Sequence, residues 1–203
     1  MRLDILPVVS GLWPSHRQNW EHCTQCRIGE LAYKHVFARG MLPCEFLFIG
    51  EAPGDTEDVT GFPFAGKAGK VLDRMITDAT AHAPCIWAIA NVVLCKPQDG
   101  PGQKFREPTE EEKRNCRPRL DYFIGSIAKP KGIICLGEHA ARSAPFRQTN
   151  EGAVMIPHIS VRHPAYIMYN GGPDKSRGAE IFAAEVHKIT DFIQETLRCI
   201  ATI

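Results

Sequence analysis

Three runs with almost no polar residue set the frame of this chain: Glu45-Phe-Leu-Phe-Ile49, Ile86-Trp-Ala-Ile-Ala-Asn-Val-Val93 and Ile133-Ile-Cys-Leu136. A strand with one wet face alternates apolar and polar side chains, whereas a strand covered on both faces reads as an unbroken apolar run. The three runs therefore predict strands of a parallel sheet buried on both sides. A shorter, more polar run from Ile156 to Val161 predicts a fourth strand. Helical periodicities lie between them. Val71, Leu72, Met75, Ile76 and Ala79 share one helix face, and Phe182, Val186, Ile189, Ile193 and Leu197 form a second stripe. Thr109 and Glu112, just after Pro108, have the spacing of a capping box. The helix they open would bury Leu120, Phe123, Ile124 and Ile127, with a kink or restart at Pro118. A short helix is expected over Glu138 to Ser143. Strands alternating with helices are the pattern of an α/β layered fold. With 203 residues, 44% of them hydrophobic, one core and one domain are expected.

Open parallel sheets bind ligands at the carboxyl ends of their strands, so the residues after each run deserve inspection. The first run leads into Gly50-Glu51-Ala52-Pro53-Gly54 and then a stretch to Gly69 rich in glycine, with Asp55, Glu57 and Asp58 and with Phe64 between Pro63 and Gly66. This reads either as a surface loop with an apolar peg or as a ligand loop. A phosphate loop is excluded, because no Gly-Lys-Ser or Gly-Lys-Thr occurs. The second run contains Asn91. A carboxamide in so apolar a setting is costly unless hydrogen-bonded. It either bonds a neighbouring loop or reads a ligand edge, since an amide offers both a donor and an acceptor. His163, set after the fourth run and followed by Pro164, is the most notable histidine.

The net charge of +1 neither supports nor excludes a nucleic-acid partner, so the distribution of charge matters instead. Lys96, Lys104, Arg106, Lys113, Arg114, Arg117 and Arg119 lie close in sequence, and Arg162, Lys175 and Arg177 flank the His163-Pro164 turn. No apolar run reaches the ~20 residues of a membrane span. Asp4 and two prolines make the N-terminus a poor signal peptide, so an intracellular, cytoplasmic protein is expected. In such a compartment the eight cysteines are not expected to form disulfides. Cys23-Thr-Gln-Cys26 fits zinc, a redox motif or an iron–sulfur cluster equally well.

Taken in order, Gly50-Glu-Ala-Pro-Gly54, the Glu57-Asp58 pair, Thr60-Gly-Phe-Pro-Phe-Ala-Gly-Lys-Ala-Gly69, Asn91-Val-Val-Leu-Cys-Lys-Pro97, Leu136-Gly-Glu-His-Ala-Ala-Arg-Ser143 and His163-Pro-Ala-Tyr166 resemble the uracil-DNA glycosylase superfamily. The resemblance is greatest to its family four, whose members bind a [4Fe–4S] cluster. It implies a three-layer αβα sandwich around a central, mostly parallel four-stranded sheet, spanning residues 1–203 as one domain. It also implies cluster ligands at Cys23, Cys26, Cys95 and Cys116, which would tie segment 1–40 to the body. Zinc is the alternative metal and Cys85 the weaker alternative ligand, while Cys44, Cys135 and Cys199 are expected to be structural. Twenty residues separate Cys95 from Cys116, and residues 98–105 read as an insertion there.

By the same resemblance the activity would be removal of uracil from single- or double-stranded DNA by a monomer, leaving an abasic site. Glu51, Asn91 and His163 would be catalytic: Glu51 orients or activates water, Asn91 reads the uracil edge, and His163 stabilises the departing base. Gly50, Ala52, Glu57 and Phe64 would complete the substrate pocket, with Phe64 stacking and Glu57 crowding the thymine methyl group; loop capping is the other reading of Glu57 and Asp58. Arg162, Tyr166, Ile167 and Met168 would contact DNA, the last three as a wedge, or else as a helix start packing on the core. A superfamily member acting on another modified base, and a DNA-binding module without excision activity, are the competing readings. The retention of Glu51, Phe64, Asn91 and His163 together disfavours the second.

Overall fold

A computed structural model describes residues 11–144, 146–148 and 154–202 of the chain. The segment through Ser10, which carries most of the reading against a signal peptide, lies outside the described residues. The elements in chain order are α1 (Leu12–Trp20), α2 (Arg27–Leu31), β1 (Ala38–Gly40), β2 (Phe46–Gly50), α3 (Asp55–Thr60), α4 (Lys67–His82), β3 (Trp87–Asn91) and α5 (Glu110–Tyr122). A π-helical turn (Phe123–Ala128) follows, then β4 (Gly132–Leu136), α6 (Glu138–Ala141), β5 (Arg147–Gln148), β6 (Val154–Met155), β7 (His158–Val161), α7 (Pro164–Tyr169) and α8 (Ser176–Ala201). No helix among the described residues is long and apolar enough to cross a membrane.

The four anticipated strands pair in parallel, with β2 between β3 and β4 and with β7 beyond β4. The sheet has five strands rather than four, in the order β1-β3-β2-β4-β7. The extra one, β1, is a short antiparallel edge on β3. Its three residues are too few to show a strand period, so only pairing reveals it. The ribbon of β5 and β6 was equally silent in the sequence. Regular strand structure in β3 ends at Asn91 instead of Val93. The chain nevertheless still follows β2, because the N–H groups of Val92 and Val93 donate to the carbonyls of Gly50 and Glu51.

Two apolar layers cover the sheet. Leu47, Ile49, Ile133 and Cys135 face one core, shared with Trp13, Ile28, Leu120, Phe123, Ile124 and Ile127. Phe46, Phe48, Ile134 and Leu136 face the other, shared with Leu72, Met75 and Ile76 of α4, Ile167 of α7, and Phe182, Ile189 and Ile193 of α8. The period of two within each strand sends alternate residues to opposite helix layers. The capping box forms as its spacing predicts: Thr109 accepts from Glu112 N–H, and Glu112 accepts from Thr109 N–H. Pro118 lies inside α5 without ending it, and the chain passes directly into the π-helical turn. Cys44 and Cys135 are buried as expected, whereas Cys199 is exposed on the last turns of α8.

One core side chain carries a stability prediction. His16 is 2% exposed, and neither ring nitrogen has a hydrogen-bond partner. It lies among the rings of Trp13, Phe37, Tyr122 and Phe123. Burial, followed by the charge of Arg119, pushes its pKa from 6.5 down to about 4. The unfolded chain takes up a proton at this residue as pH falls through 6.5, but the folded chain does so only near 4, so stability is lost across that window. His16→Phe is expected to remove up to about 3 kcal/mol of the stability lost between pH 7 and pH 4, read from urea midpoints. Identical pH dependence in the two proteins would contradict it.

Candidate active site and candidate metal centre

The chain leaves β2 toward β3 on one side, and leaves β4 toward β7 on the other. Connections that diverge in this way open a crevice beyond the carboxyl ends of the adjacent strands. A cavity of about 490 Å³ lies there, lined by Glu51 and Ala52 after β2, Asn91 at the end of β3, Gly137 and His139 after β4, and His163 after β7. Phe64, Glu57, Phe105, Glu107 and Tyr169 complete much of the wall. A larger cavity of about 640 Å³, between α1, α2 and the end of α3, contains none of the anticipated site residues. The smaller one gathers Glu51, Glu57, Phe64, Asn91 and His163 at the carboxyl ends of the parallel strands.

The stretch anticipated as one long loop after Gly54 contains helix α3 and, from Lys67, the start of α4. Phe64 sits between them at φ 54, a left-handed conformation for a side chain with a Cβ. Such strain costs about 1–3 kcal/mol and clusters at functional sites. Glycines make its seat. A Cβ on Gly50 would lie 2.7 Å from the Phe64 ring and 2.5 Å from Asn91 Oδ1, and a Cβ on Gly69 would lie 1.7 Å from the Phe64 carbonyl oxygen. The Phe64 ring faces the His163 ring at 5.8 Å between centroids.

Asn91 is 2% exposed, and its Oδ1 has no hydrogen-bond partner. A buried polar group left unpaired is rare, and each instance calls for a ligand, water or function. His163 caps α7, and its Nδ1 accepts from Ala165 N–H at 3.2 Å. That bond leaves the proton of the neutral ring on Nε2. Burial lowers the His163 pKa, with Glu57 opposing and His139 adding to the shift. Glu51 has Lys113 Nζ 3.0 Å from Oε1 and His139 Nδ1 3.8 Å from Oε2. The Lys113 contact has an ion pair's distance but not a hydrogen bond's angle, since Oε1 has no hydrogen-bonded partner. Burial pulls the Lys113 pKa down, yet Glu51 and Glu110 together hold it above its usual value.

Other anticipated residues behave differently. Glu57 lines the cleft, but its carboxylate accepts from Gly54 N–H and Gly66 N–H, which is loop capping. Asp58 likewise accepts from Tyr33 N–H. Ile167 is fully buried on the inward face of α7, so it packs on the core and is not a surface wedge. Met168 is half-buried against the same core, while Tyr166 is exposed with Arg162 stacked 5.0 Å from its ring. Tyr169, one turn along and 81% exposed, is the aromatic at the cleft mouth that the sequence reading missed. The anticipated basic cluster is largely spent internally. Lys96 pairs with Asp55, Arg106 with Asp99 and Glu112, Lys113 with Glu51, Arg117 with Asp121, and Arg119 is buried. Residues 98–105 are not a loose insertion. Gln98 is buried with its Nε2 donating to Leu31 O, Lys96 donates to Gln103 O, and the segment delivers Phe105 to the cleft.

Cys23, Cys26, Cys95 and Cys116 surround a single small cavity, with Ile28, Val93 and Leu94 as apolar neighbours. Gly29 permits the approach of Cys23, since a Cβ there would stand 2.5 Å from the Cys23 carbonyl oxygen. Burial pushes the Cys95 thiol well up, and Cys116, Cys26 and Cys23 add to the shift. Among the described residues no group of three or more His, Cys, Asp or Glu is arranged to hold a metal ion.

The fold and the cleft define a doubly wound α/β domain that would hold a small planar ligand between an aromatic ring, an amide and an imidazole. The model of the uracil DNA glycosylase superfamily matches residues 39–185, and the chain belongs to that superfamily. Its curated relatives include the type-4 uracil-DNA glycosylase of Archaeoglobus fulgidus, 34% identical over 165 residues that cover 72% of this chain and 78% of that protein. The type-4 uracil-DNA glycosylase of Thermotoga maritima is 29% identical over 187 residues, covering 85% and 90%. That of Sulfurisphaera tokodaii is 38% identical over 120 residues, covering 59% of this chain. The chain spans only about half of the Sulfurisphaera tokodaii protein, 52% of its length.

Gly69→Ala tests the seat of Phe64. Helix propensity alone predicts stabilisation by up to about 1 kcal/mol. The collision with the Phe64 backbone predicts a net loss of about 1–3 kcal/mol instead, measured by chemical denaturation. A stabilised variant would contradict the geometry.

Proposed function

We propose that this chain is a uracil-DNA glycosylase that hydrolyses the bond between uracil and deoxyribose in single- or double-stranded DNA. It would act as a monomer within the cell, as one domain spanning 1–203. The observation that carries the reading is the buried, unpaired carboxamide oxygen of Asn91, in one cleft with Phe64, His163 and Glu51.

A base inside a duplex is unreachable, so the nucleotide must be turned out at a cost of a few kcal/mol. Stacking on Phe64 and edge hydrogen bonds to Asn91 offset that cost. The C1′–N1 bond then breaks with its electron pair leaving on the base, and positive charge spreads over the sugar. His163, neutral and bearing its proton on Nε2, donates to the carbonyl oxygen beside N1 and stabilises the uracil anion. A water oxygen bonds to C1′, and its proton passes to the Glu51 carboxylate, which the Lys113 ammonium holds in place. The fixed negative charge of Glu51 also favours the cationic sugar. Glu57, fastened by two backbone N–H groups, forms a rigid wall where the methyl group of thymine would fall. Arg162 and Tyr166, with Met168 beside them and Tyr169 at the rim, would meet the DNA.

The four cysteines line one small cavity together, which supports the [4Fe–4S] cluster that the family resemblance implies, with zinc as the alternative metal. Four thiolates complete a cubane without other help. Excision moves no net electrons, so the cluster would supply a scaffold that staples the N-terminal segment to the body through Cys23 and Cys26.

Alkali-labile cleavage of a single-uracil oligonucleotide tests the activity, and no cleavage with uracil opposite guanine, adenine or nothing would contradict it. His163→Ala and Asn91→Asp are each expected to lose at least about 100-fold in kcat. Because its pKa lies below 6.5, His163 is already neutral at pH 7. The rate should therefore hold between pH 7 and pH 8; a tenfold fall per unit would mean that the imidazolium is required. Purified aerobically, the protein should be brown and carry about four irons per chain, and one zinc without iron would overturn the cluster.

A further inference from the structure

Arg119 is the largest fully buried side chain among the described residues, 1% exposed. Its guanidinium is always charged, and burying an unmatched charge is strongly unfavourable. No carboxylate pairs with it among the described residues; the arginines that form ion pairs there are Arg27, Arg39, Arg74, Arg106, Arg117 and Arg162. Its Nη2 donates to the carbonyl oxygens of Asn91 at 3.1 Å and Val92 at 2.6 Å, and stands 3.7 Å from Cys116 Sγ. Nε has no partner. Two neutral carbonyls solvate part of the charge, and a cysteine sulfur stands beside the same nitrogen. As a metal ligand that sulfur is a thiolate, and the contact becomes a charge-assisted hydrogen bond.

We propose that Arg119 is a positioning residue coupling the cluster to the base-reading amide: the anionic Cys116 sulfur anchors its guanidinium, and the guanidinium helps fix the backbone that carries Asn91. The proposal rests on the cluster reading above. Its geometry comes from helix α5. Lys113, Cys116 and Arg119 follow one another at three-residue spacing along one side of that helix. Ligation of Cys116 therefore holds the turn from which Arg119 reaches Asn91. The Asn91 side-chain oxygen is unpaired, and regular strand structure ends at that residue, so the two carbonyls that Arg119 holds lie at the point where β3 gives way to the cleft loop.

Arg119→Met and Arg119→Lys, purified as iron-loaded full chains, test this. Redox titration followed by electron paramagnetic resonance reads the cluster, and the split between KM and kcat on a uracil oligonucleotide reads the pocket. Removal of the positive charge should move the cluster midpoint to a more negative potential in Arg119→Met. Iron should be lost to a chelator at least tenfold faster, and KM should rise at least tenfold. Arg119→Lys should keep the native midpoint and iron retention while KM still rises, because an ammonium cannot span both carbonyls and the sulfur. Iron loading by the lysine variant but not the methionine variant would also support the proposal. A native midpoint and chelation rate in Arg119→Met would overturn it. So would failure of both variants to load iron, which would mean the site needs the shape of arginine and not its charge. Native protein that holds no iron would defeat the cluster reading itself, a separate result.

Discussion

Everything in this fold is hung on β2, a strand paired along both edges and buried on both faces. Phe46, Leu47, Phe48 and Ile49 are wholly inaccessible, with the phenylalanines facing α4 and α8 and the aliphatics facing α5 and its π-helical turn. Because the chain continues to β3 on one side and returns to β4 on the other, the connections part at the carboxyl end of β2. A crevice at that point follows from topology alone. What the crevice can do depends on the loops that rim it, and each of the four parallel strands contributes at its end: Glu51 after β2, Asn91 in β3, Gly137 and His139 after β4, and His163 after β7.

That arrangement is held at some cost in stability. Asn91 keeps an unpaired oxygen inside the protein, a penalty of about 1–3 kcal/mol in the absence of a ligand. Phe64 is kept in a left-handed conformation, and Gly50 and Gly69 give up any side chain to make room for it. Phe64 packs on the core beside α4 from this position, and both Phe64 and Asn91 line the same cleft. Helix α5 ties the parts together. It reaches Glu51 through Lys113, carries Cys116, and supports Asn91 through Arg119, so the two candidate catalytic groups nearest β2 hang from one element.

The layered fold was legible because its signals are local. Unbroken apolar runs marked β2, β3 and β4, and periodic stripes marked α4 and α8. The strands at β1 and β5–β6 were not legible, since two or three residues have no period and only long-range pairing defines them. In the cleft, Phe64, Asn91 and His163 stood out among the residues after each strand, whereas Glu51 was singled out by the family resemblance. Lys113 was read as part of a basic patch, because its pairing with Glu51 spans 62 positions that no local pattern records. Ile167 was left open between a wedge and a helix start packing on the core, because a six-residue helix shows too few positions to tell its inward face from its outward one. Phe105 went unnoticed in a segment that resembled a simple insertion and is in fact pinned by Lys96 and Arg106.

The central claim is that Asn91, Phe64 and His163 read one uracil ring. Titration of free uracil into isotope-labelled protein, followed by nuclear magnetic resonance of the Asn91 side-chain amide and the His163 ring nitrogens, tests it most directly. The account predicts saturable shifts in both, together with a ring-current displacement of the uracil protons by Phe64. Uracil that binds elsewhere, leaving the Asn91 and His163 signals unmoved, would contradict it.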